Sequence, residues 1–304
     1  MGENKKNTAR RDGVKASVII PNFRDWERLS ICLSRLERQT IPAKDFEIIV
    51  SNNDPIENPP AELRIPDNAR IIPAPTPGSY AARNAAIEMA VGDILAFTDA
   101  DCVPSVNWLE EGIKFFDSNH SFHLLGGDVR PVCRGANPSA VELYDHIFNI
   151  NQKDYVISNN VAATANLFAR RSLVDEIGPF DPHRMSGGDF EFCNRAHKHG
   201  FKIGFSKEAY VEHPMRSKVS DVILKTRRTF GGKIYQKRKN GRRFLIPPFD
   251  RIVPSARAAQ KIFRRSDVNL VTGVKVYSIH YLSNLARFYE HIRITVLKKD
   301  YERR

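Results

Sequence analysis

Asp99, Ala100 and Asp101 directly follow the apolar run Ile94 to Thr98, so two carboxylates one residue apart leave the end of a strand together. Hard divalent cations prefer oxygen ligands of this kind, and a cation held there would bridge to phosphate groups. The same two aspartates could instead cap a following helix. Upstream, Gly78-Ser79-Tyr80-Ala81-Ala82-Arg83-Asn84 sets a glycine turn ahead of a helix, whose free amides and Arg83 suit a phosphate. An ordinary loop with a surface arginine is the alternative there. Taken together, the two stretches suggest a phosphorylated ligand held partly through a metal.

Such residues need a scaffold that brings strand ends together. Val14 to Ile20 reads as a strand because Val18, Ile19 and Ile20 form a short buried-type run that Pro21-Asn22 stops. Trp26, Leu29, Leu33 and Leu36 then recur at helical spacing, and Thr40 to Pro42 closes that helix. Phe46 to Val50 is apolar at nearly every position, as in a parallel strand covered on both faces. Next come a strand near Arg70 to Ile72, a loop from Pro73 to Gly78, helices over 79–91 and 106–119, and strands over 94–98 and 122–126. The alternation predicts an α/β fold with a doubly wound, mostly parallel central sheet flanked by helices, in which ligands bind at the carboxyl ends of the strands. From Val141 the rhythm changes. Helices are predicted over 141–150, 171–177 and 189–199, a mixed segment runs to Phe168, and a strand covers 202–206. Beyond Pro214 the segments read as helical and basic.

The composition, 41% hydrophobic and 27% charged over 304 residues, excludes disordered and fibrous classes. No run approaches the ~18 apolar residues of a membrane span, and the basic leader lacks the apolar stretch of a secretory signal. The expected location is cytoplasmic. Cys32, Cys102, Cys133 and Cys193 form no Cys-x-x-Cys pair, so neither a zinc knuckle nor a disulfide framework is indicated. Charge divides sharply: residues 1–200 carry 22 Lys+Arg against 27 Asp+Glu, a balance of −5, whereas 201–304 carry 25 against 8, a balance of +17. A segment that basic suits an anionic partner.

The ordered motifs resemble the family 2 glycosyltransferases of the GT-A fold. The resembling residues are Ser17-Val18-Ile19-Ile20-Pro21-Asn22, Phe46 to Asp54, Ala82-Arg83-Asn84 and Gly92 to Asp101. Downstream they continue with Ile177-Gly178-Pro179-Phe180-Asp181, Gly187 to Arg195 and Gly200-Phe201. The likeness covers about residues 15 to 215. It implies that Asp99, Ala100 and Asp101 form the family's Asp-x-Asp motif, with Asp99, Asp101 and His213 on a divalent cation, Mn2+ or Mg2+. Pro21, Asn22, Asn52, Asn53, Arg83, Asp99 and Ala100 would line the nucleotide-sugar. The family usually has an acidic reader of uracil where this chain has Asn52 and Asn53, and Asp54 stands one place later. Its catalytic base is an aspartate, usually preceded by glutamate. Gly188-Asp189 occupies that position, which makes Asp189 the expected base and Glu191 the weaker candidate.

The resemblance implies inverting transfer of a sugar from a nucleoside-diphosphate donor, a UDP-sugar, to a hydroxyl of a glycan or lipid-linked saccharide. The setting would be bacterial polysaccharide or cell-surface glycan synthesis. The expected plan is a polar leader at 1–13, a catalytic domain at 14–215 and a basic helical region at 216–304. Within the catalytic domain, 14–130 would bind the nucleotide and 131–215 the acceptor. The basic region includes Arg227-Arg228, Lys237-Arg238-Lys239, Arg242-Arg243, Arg264-Arg265 and Lys298-Lys299. Phe230, Tyr235, Phe244, Phe249 and the run Val276 to Tyr289 supply it with apolar packing. It would dock an anionic acceptor or an acidic membrane surface, with the enzyme peripheral at the inner face of the plasma membrane, or it is simply a solvated helical face. Two other readings stay open. A sugar-nucleotide-forming nucleotidyltransferase would share the sheet and the metal carboxylates, but Pro21-Asn22-Phe23-Arg24 stands where its phosphate loop belongs. A nucleic-acid-binding protein would fit the overall charge, yet no recognition motif accompanies it.

Overall fold

A computed structural model describes residues 13–54, 56–148, 150–241 and 249–300. The basic leader up to residue 12, Arg242-Arg243 and Phe244 lie outside the described residues. The first half is built from β1 (Ala16–Asn22), α1 (Trp26–Leu36), β2 (Phe46–Asn52), β3 (Ala69–Pro73), α2 (Ser79–Met89), β4 (Ile94–Thr98), β5 (Val103–Pro104) and α3 (Trp108–Ser118). It continues with β6 (Phe122–Val132), α4 (Ala140–Phe148), α5 (Gln152–Asn159), β7 (Asn166–Arg170), α6 (Arg171–Ile177), α7 (Gly188–Lys198) and β8 (Lys202–Pro214). Three further helices follow, α8 (Val219–Lys239), α9 (Ala256–Phe263) and α10 (Leu270–Thr295).

The eight strands form one sheet in the order β3-β2-β1-β4-β7-β6-β8-β5. The first four are mutually parallel, and their residues Val18, Ile19, Ile20, Ile48, Ile49 and Val50 are fully buried, as expected of strands covered on both faces. The sheet as a whole is mixed, because β7 runs antiparallel to both β4 and β6, and β5 antiparallel to β8. The strands β5 and β7 and the helix α5 carried no readable signal. β5 is two residues long, and α5 buries only Gln152 and Val156, too little for a helical period.

A polar pair interrupts the apolar run of β1 and β2. Ser17 lies directly opposite Glu47, and the Ser17 hydroxyl donates to the Glu47 carboxylate at 2.6 Å. That carboxylate also accepts the Val91 peptide N–H at 2.7 Å and pairs with Arg70 at 2.8 Å, while the Gly92 N–H donates to the Ser17 hydroxyl at 2.9 Å. The Glu47 carboxylate and the Ser17 hydroxyl are thereby satisfied, and the entry to β4 is clamped to β1. Asn166, fully buried at the start of β7, makes a second hub. It accepts the Trp108 indole N–H at 2.9 Å and donates to the carbonyls of Asp128 at 2.7 Å and Ala209 at 2.9 Å, joining α3, β6 and β8.

The described residues fall into two compact units. The first holds the sheet and comprises residues up to Arg130, Asn151–His183 and Gly188–His213. The second comprises Pro131–Ile150, Arg184–Gly187 and the residues from Pro214 onward. Its core, Leu143, Tyr144, Ile147, Val222, Ile262, Val276 and Ile279, packs α4, α8 and α9 around α10. Glu290 is fully buried there between Arg227 at 2.9 Å and Arg293 at 2.6 Å, a charge compensated on both sides.

A methyl group on Gly92 would sit 2.5 Å from the Ala16 carbonyl carbon and 2.6 Å from the Ser17 nitrogen, both backbone atoms that cannot swing aside. Gly92→Ala is therefore expected to lower stability by about 2–3 kcal/mol in urea unfolding. A variant as stable as the parent would show that the β4 entry is not clamped.

Candidate functional site

The parallel strands deliver Pro21-Asn22, Asn52-Asn53 and Asp99 to one edge of the sheet. Asn22 is buried, and neither end of its amide has a hydrogen-bond partner among the described residues, the condition of a group awaiting a ligand. Asn52 and Asn53 are differently employed. Asn52 donates to the Glu57 carbonyl at 2.7 Å and accepts from the Asp54 N–H at 3.1 Å. Asn53 donates to the carbonyls of Ala74 and Thr76 at 2.6 and 2.7 Å and accepts from the Gly78 N–H at 2.9 Å. Both amide hydrogens of Asn53 are thus spent on the loop that leads into α2, which leaves only a carbonyl lone pair for any ligand.

Beside them lies a cluster the sequence reading did not single out. Arg24, in the left-handed backbone region at φ 56°, pairs with Asp54 and stands 3.5 Å from Glu57. Glu57 in turn accepts the Trp26 indole N–H at 2.9 Å. The Arg24 hydrogen bond holds the Asp54 carboxyl below its ordinary range. No local motif announces such a pair, because its members lie 30 residues apart.

Arg83 is buried rather than displayed at the surface. Its guanidinium pairs with Asp99 and donates to the Ser79 carbonyl at 3.3 Å. Tyr80, three residues earlier on the same helix, donates its hydroxyl to Asp189 at 3.0 Å. Residues three apart share a helix face, so one turn of α2 grips both the β4 carboxylate and the first turn of α7.

Asp101 turns to a different neighbour. The antiparallel pairing of Val103 with Glu212 sets His213 alongside it, with the His213 Nε2 3.8 Å from the Asp101 carboxylate. Arg28 of α1 reaches the other Asp101 oxygen at 3.4 Å. Among the described residues, Asp101, Cys102 and His213 offer ligand-type atoms that all lie within 4.8 Å of one another. The Asp101 carboxylate is the oxygen ligand that Mn2+ and Mg2+ prefer, and the His213 imidazole is a transition-metal ligand, so the pair fits Mn2+ better than Mg2+. Cys102 suits neither ion, since a thiol is a soft ligand and these cations take oxygen; burial pushes its thiol well up. Asp99 lies outside this group, its near oxygen taken by Arg83. Ala100 is buried between the two aspartates.

Asp189, in the first turn of α7, accepts from the Phe190 N–H at 2.9 Å, from Tyr80 at 3.0 Å and from the Thr164 N–H at 3.4 Å. Burial pushes its carboxyl up, and the Phe190 amide and the Tyr80 hydroxyl pull it partly back. The glycine before it also has a reason: a side chain at Gly188 would begin 2.8 Å from the Tyr80 ring. Glu191 is committed elsewhere. It pairs at 3.1 Å with Arg195, whose guanidinium caps the carbonyls of Gly178 and Pro179 at 2.9 and 2.6 Å.

Comparison with solved structures shows a GT-A glycosyltransferase fold. The mannosyltransferase PcManGT from Pyrobaculum calidifontis, in complex with GDP-Man and Mn2+, aligns at a TM-score of 0.60 over 94% of this chain and 88% of its own. S. aureus TarS 1-349, in complex with UDP-GlcNAc, aligns at 0.52 over 90% and 91%. Each is 16% identical to this chain, a level at which the shared property is the fold. In sequence, Glycosyltransferase AglE of Haloferax volcanii is 37% identical over 205 residues, 66% of this chain and 67% of that protein. Residues 17–178 match the family described as Glycosyl transferase family 2, and the chain belongs to that family. It is a glycosyltransferase, which removes the nucleotidyltransferase and nucleic-acid-binding readings.

Removing the Tyr80 hydroxyl takes a donor from the ionised Asp189, so Tyr80→Phe is expected to raise the Asp189 pKa further. Carboxyl 13C titration by NMR checks this, and an unchanged midpoint would mean that the hydrogen bond contributes nothing.

Proposed function

We propose that the protein transfers a sugar from a nucleoside-diphosphate donor, a UDP-sugar, to a hydroxyl of a glycan or lipid-linked saccharide, with inversion and with help from a divalent cation. The observation that carries this reading is the single turn of α2 that touches both Asp99 and Asp189. It ties a leaving-group site and a proton acceptor to one rigid element.

Asp101 and His213, with Asp99 beside them, would hold Mn2+ or Mg2+, which when bound supplies positive charge to the departing diphosphate. Arg83 adds its own charge from behind Asp99. Pro21 and the unpartnered amide of Asn22 receive the nucleoside. Asn52 and Asn53 shape the same wall by pinning the loop before α2, and buried Ala100 keeps the backbone close to the donor. The acceptor oxygen forms its bond to the anomeric carbon as the bond to the diphosphate oxygen breaks, and its proton passes to Asp189. One displacement from the opposite face inverts the anomeric configuration. A carboxyl pushed up by burial is a better proton acceptor than an ordinary aspartate, which suits that role. Nucleotide-sugars in both solved neighbours, and Mn2+ in one, support the donor class and the cation.

For the acceptor, the reading is an anionic or membrane-linked saccharide met at the inner face of an acidic membrane, in cell-surface glycan synthesis. The second unit supports it. The residues from Pro214 onward carry the chain's excess of Lys and Arg; burial first, with Arg287 and Arg251 adding to it, pushes His280 there down to about 4.

UDP- and GDP-sugars assayed with Mn2+ or Mg2+ test the donor. Metal-dependent hydrolysis and thermal stabilisation are expected with a UDP-sugar and should be lost in Asp101→Ala and His213→Ala. Stabilisation that survives both substitutions would refute the cation site. Asp189→Asn is expected to lower kcat by about 10²- to 10⁴-fold with donor affinity unchanged. Because the base must be ionised, the rate of the parent should fall as pH drops through a midpoint above the ordinary aspartate range. Near-normal transfer by Asp189→Asn would move the base elsewhere.

A further inference from the structure

Helix α10 packs its inner face into the second unit through Val276, Ile279, Ala286 and Ile294. At helical spacing on the other side stand Val271, Val274, Leu282 and Tyr289, which are 65%, 52%, 45% and 53% exposed. This is an apolar stripe along a helix of 26 residues, a length of about 39 Å at 1.5 Å per residue. Leu270, 73% exposed, begins it, and Val296 and Leu297, both exposed, lie just past its end. A second set of exposed apolar residues borders it. Phe249 stacks against Phe288, and the Ile252 carbonyl accepts the Tyr281 hydroxyl at 3.1 Å, which fixes Phe249, Ile252 and Val253 beside α10.

Cations are interleaved with these residues. Arg251 lies between Phe249 and Ile252, next to exposed Asp250 with which it pairs at 3.5 Å, Lys275 on the α10 stripe itself, Arg264 beside half-exposed Phe263, and Lys298-Lys299 directly after Leu297. Exposed apolar side chains set among Lys and Arg are the pattern of a surface that lies in the headgroup region of a bilayer, where acyl chains cover the apolar part and anionic lipids neutralise the charge. Among the described residues no helix is long and apolar enough to cross a membrane, so the contact is along the plane. A second copy of the chain is the poorer occupant, because it would set two strongly basic surfaces against each other.

We propose that the outer face of α10, with the Phe249–Val253 segment beside it, is the surface by which this enzyme sits on an anionic lipid bilayer. The proposal rests on the reading of a peripheral enzyme given above and names its membrane-contacting residues. Both forces act together there: charge brings the surface to the bilayer, and the apolar stripe holds it at ionic strengths that screen charge.

The test is co-sedimentation of the full chain with vesicles of phosphatidylcholine alone or mixed with phosphatidylglycerol, at low and high salt. Binding to the mixed vesicles that persists at high salt is expected. The charge-neutral triple variant Val271→Ser, Val274→Ser, Leu282→Gln should lose the salt-resistant part by at least tenfold, with its melting temperature kept because these side chains are exposed. The proposal is overturned if the parent ignores phosphatidylglycerol, if the triple variant binds as the parent does, or if the parent is a dimer that the variant dissociates. Donor hydrolysis of the parent is read separately without vesicles. Vesicle binding without hydrolysis would defeat the catalytic reading alone, and hydrolysis without vesicle binding would defeat this one alone.

Discussion

One turn of α2 is the constraint on which the candidate site depends. Tyr80 and Arg83 project from the same face and reach two carboxylates, Asp189 and Asp99, that lie far apart in sequence. Neither contact is a surface ion pair of small worth. Arg83 is buried, and a guanidinium in that position must be compensated, so Arg83 depends on Asp99 more than the partly exposed carboxylate depends on it. The helix is itself oriented from its N-terminal side, where Asn53 fastens the preceding loop through three hydrogen bonds. A residue expected to line the nucleotide thus also fixes the loop before α2.

The strand end before Asp99-Ala100-Asp101, the parallel strands and the Gly188-Asp189 helix start were legible because each is local: an apolar run, a stop and a short polar signature. What could not be read was anything set by pairing between distant segments. Asp99 and Asp101 look equivalent in sequence, yet one turns to Arg83 and the other to His213, because β5 pairs with β8 over two residues. Gly188 looks like a loss relative to the family's usual glutamate. In the fold it is the clearance that the Tyr80 ring requires. The Arg24–Asp54 pair escaped notice for the same reason, since only the register of β1 against β2 brings it together.

Charge and packing divide along a different line from the sequence. The second compact unit gathers α4 from mid-chain with the three C-terminal helices, and a short stretch at Arg184–Gly187 joins it as well. Periodicity cannot reveal such an arrangement, because α4 is amphipathic in the ordinary way and only its partners differ. Within that unit, cations outnumber carboxylates, and of the buried carboxylates Asp145 and Glu290 are each held by an arginine side chain while Glu142 accepts the Arg134 and Ser139 peptide N–H groups. Enough basic side chains are left at the surface to give the unit its character.

The Asn166 amide has a consequence for how the family can vary here. By donating to the Ala209 carbonyl it anchors β8 four residues before His213. Strand residues alternate faces, so a single insertion or deletion between those points would turn the imidazole to the opposite side of the sheet. The span from Ala209 to His213 thus behaves as a measured length. A change of length in a loop outside that span leaves the Asp101–His213 geometry as it is.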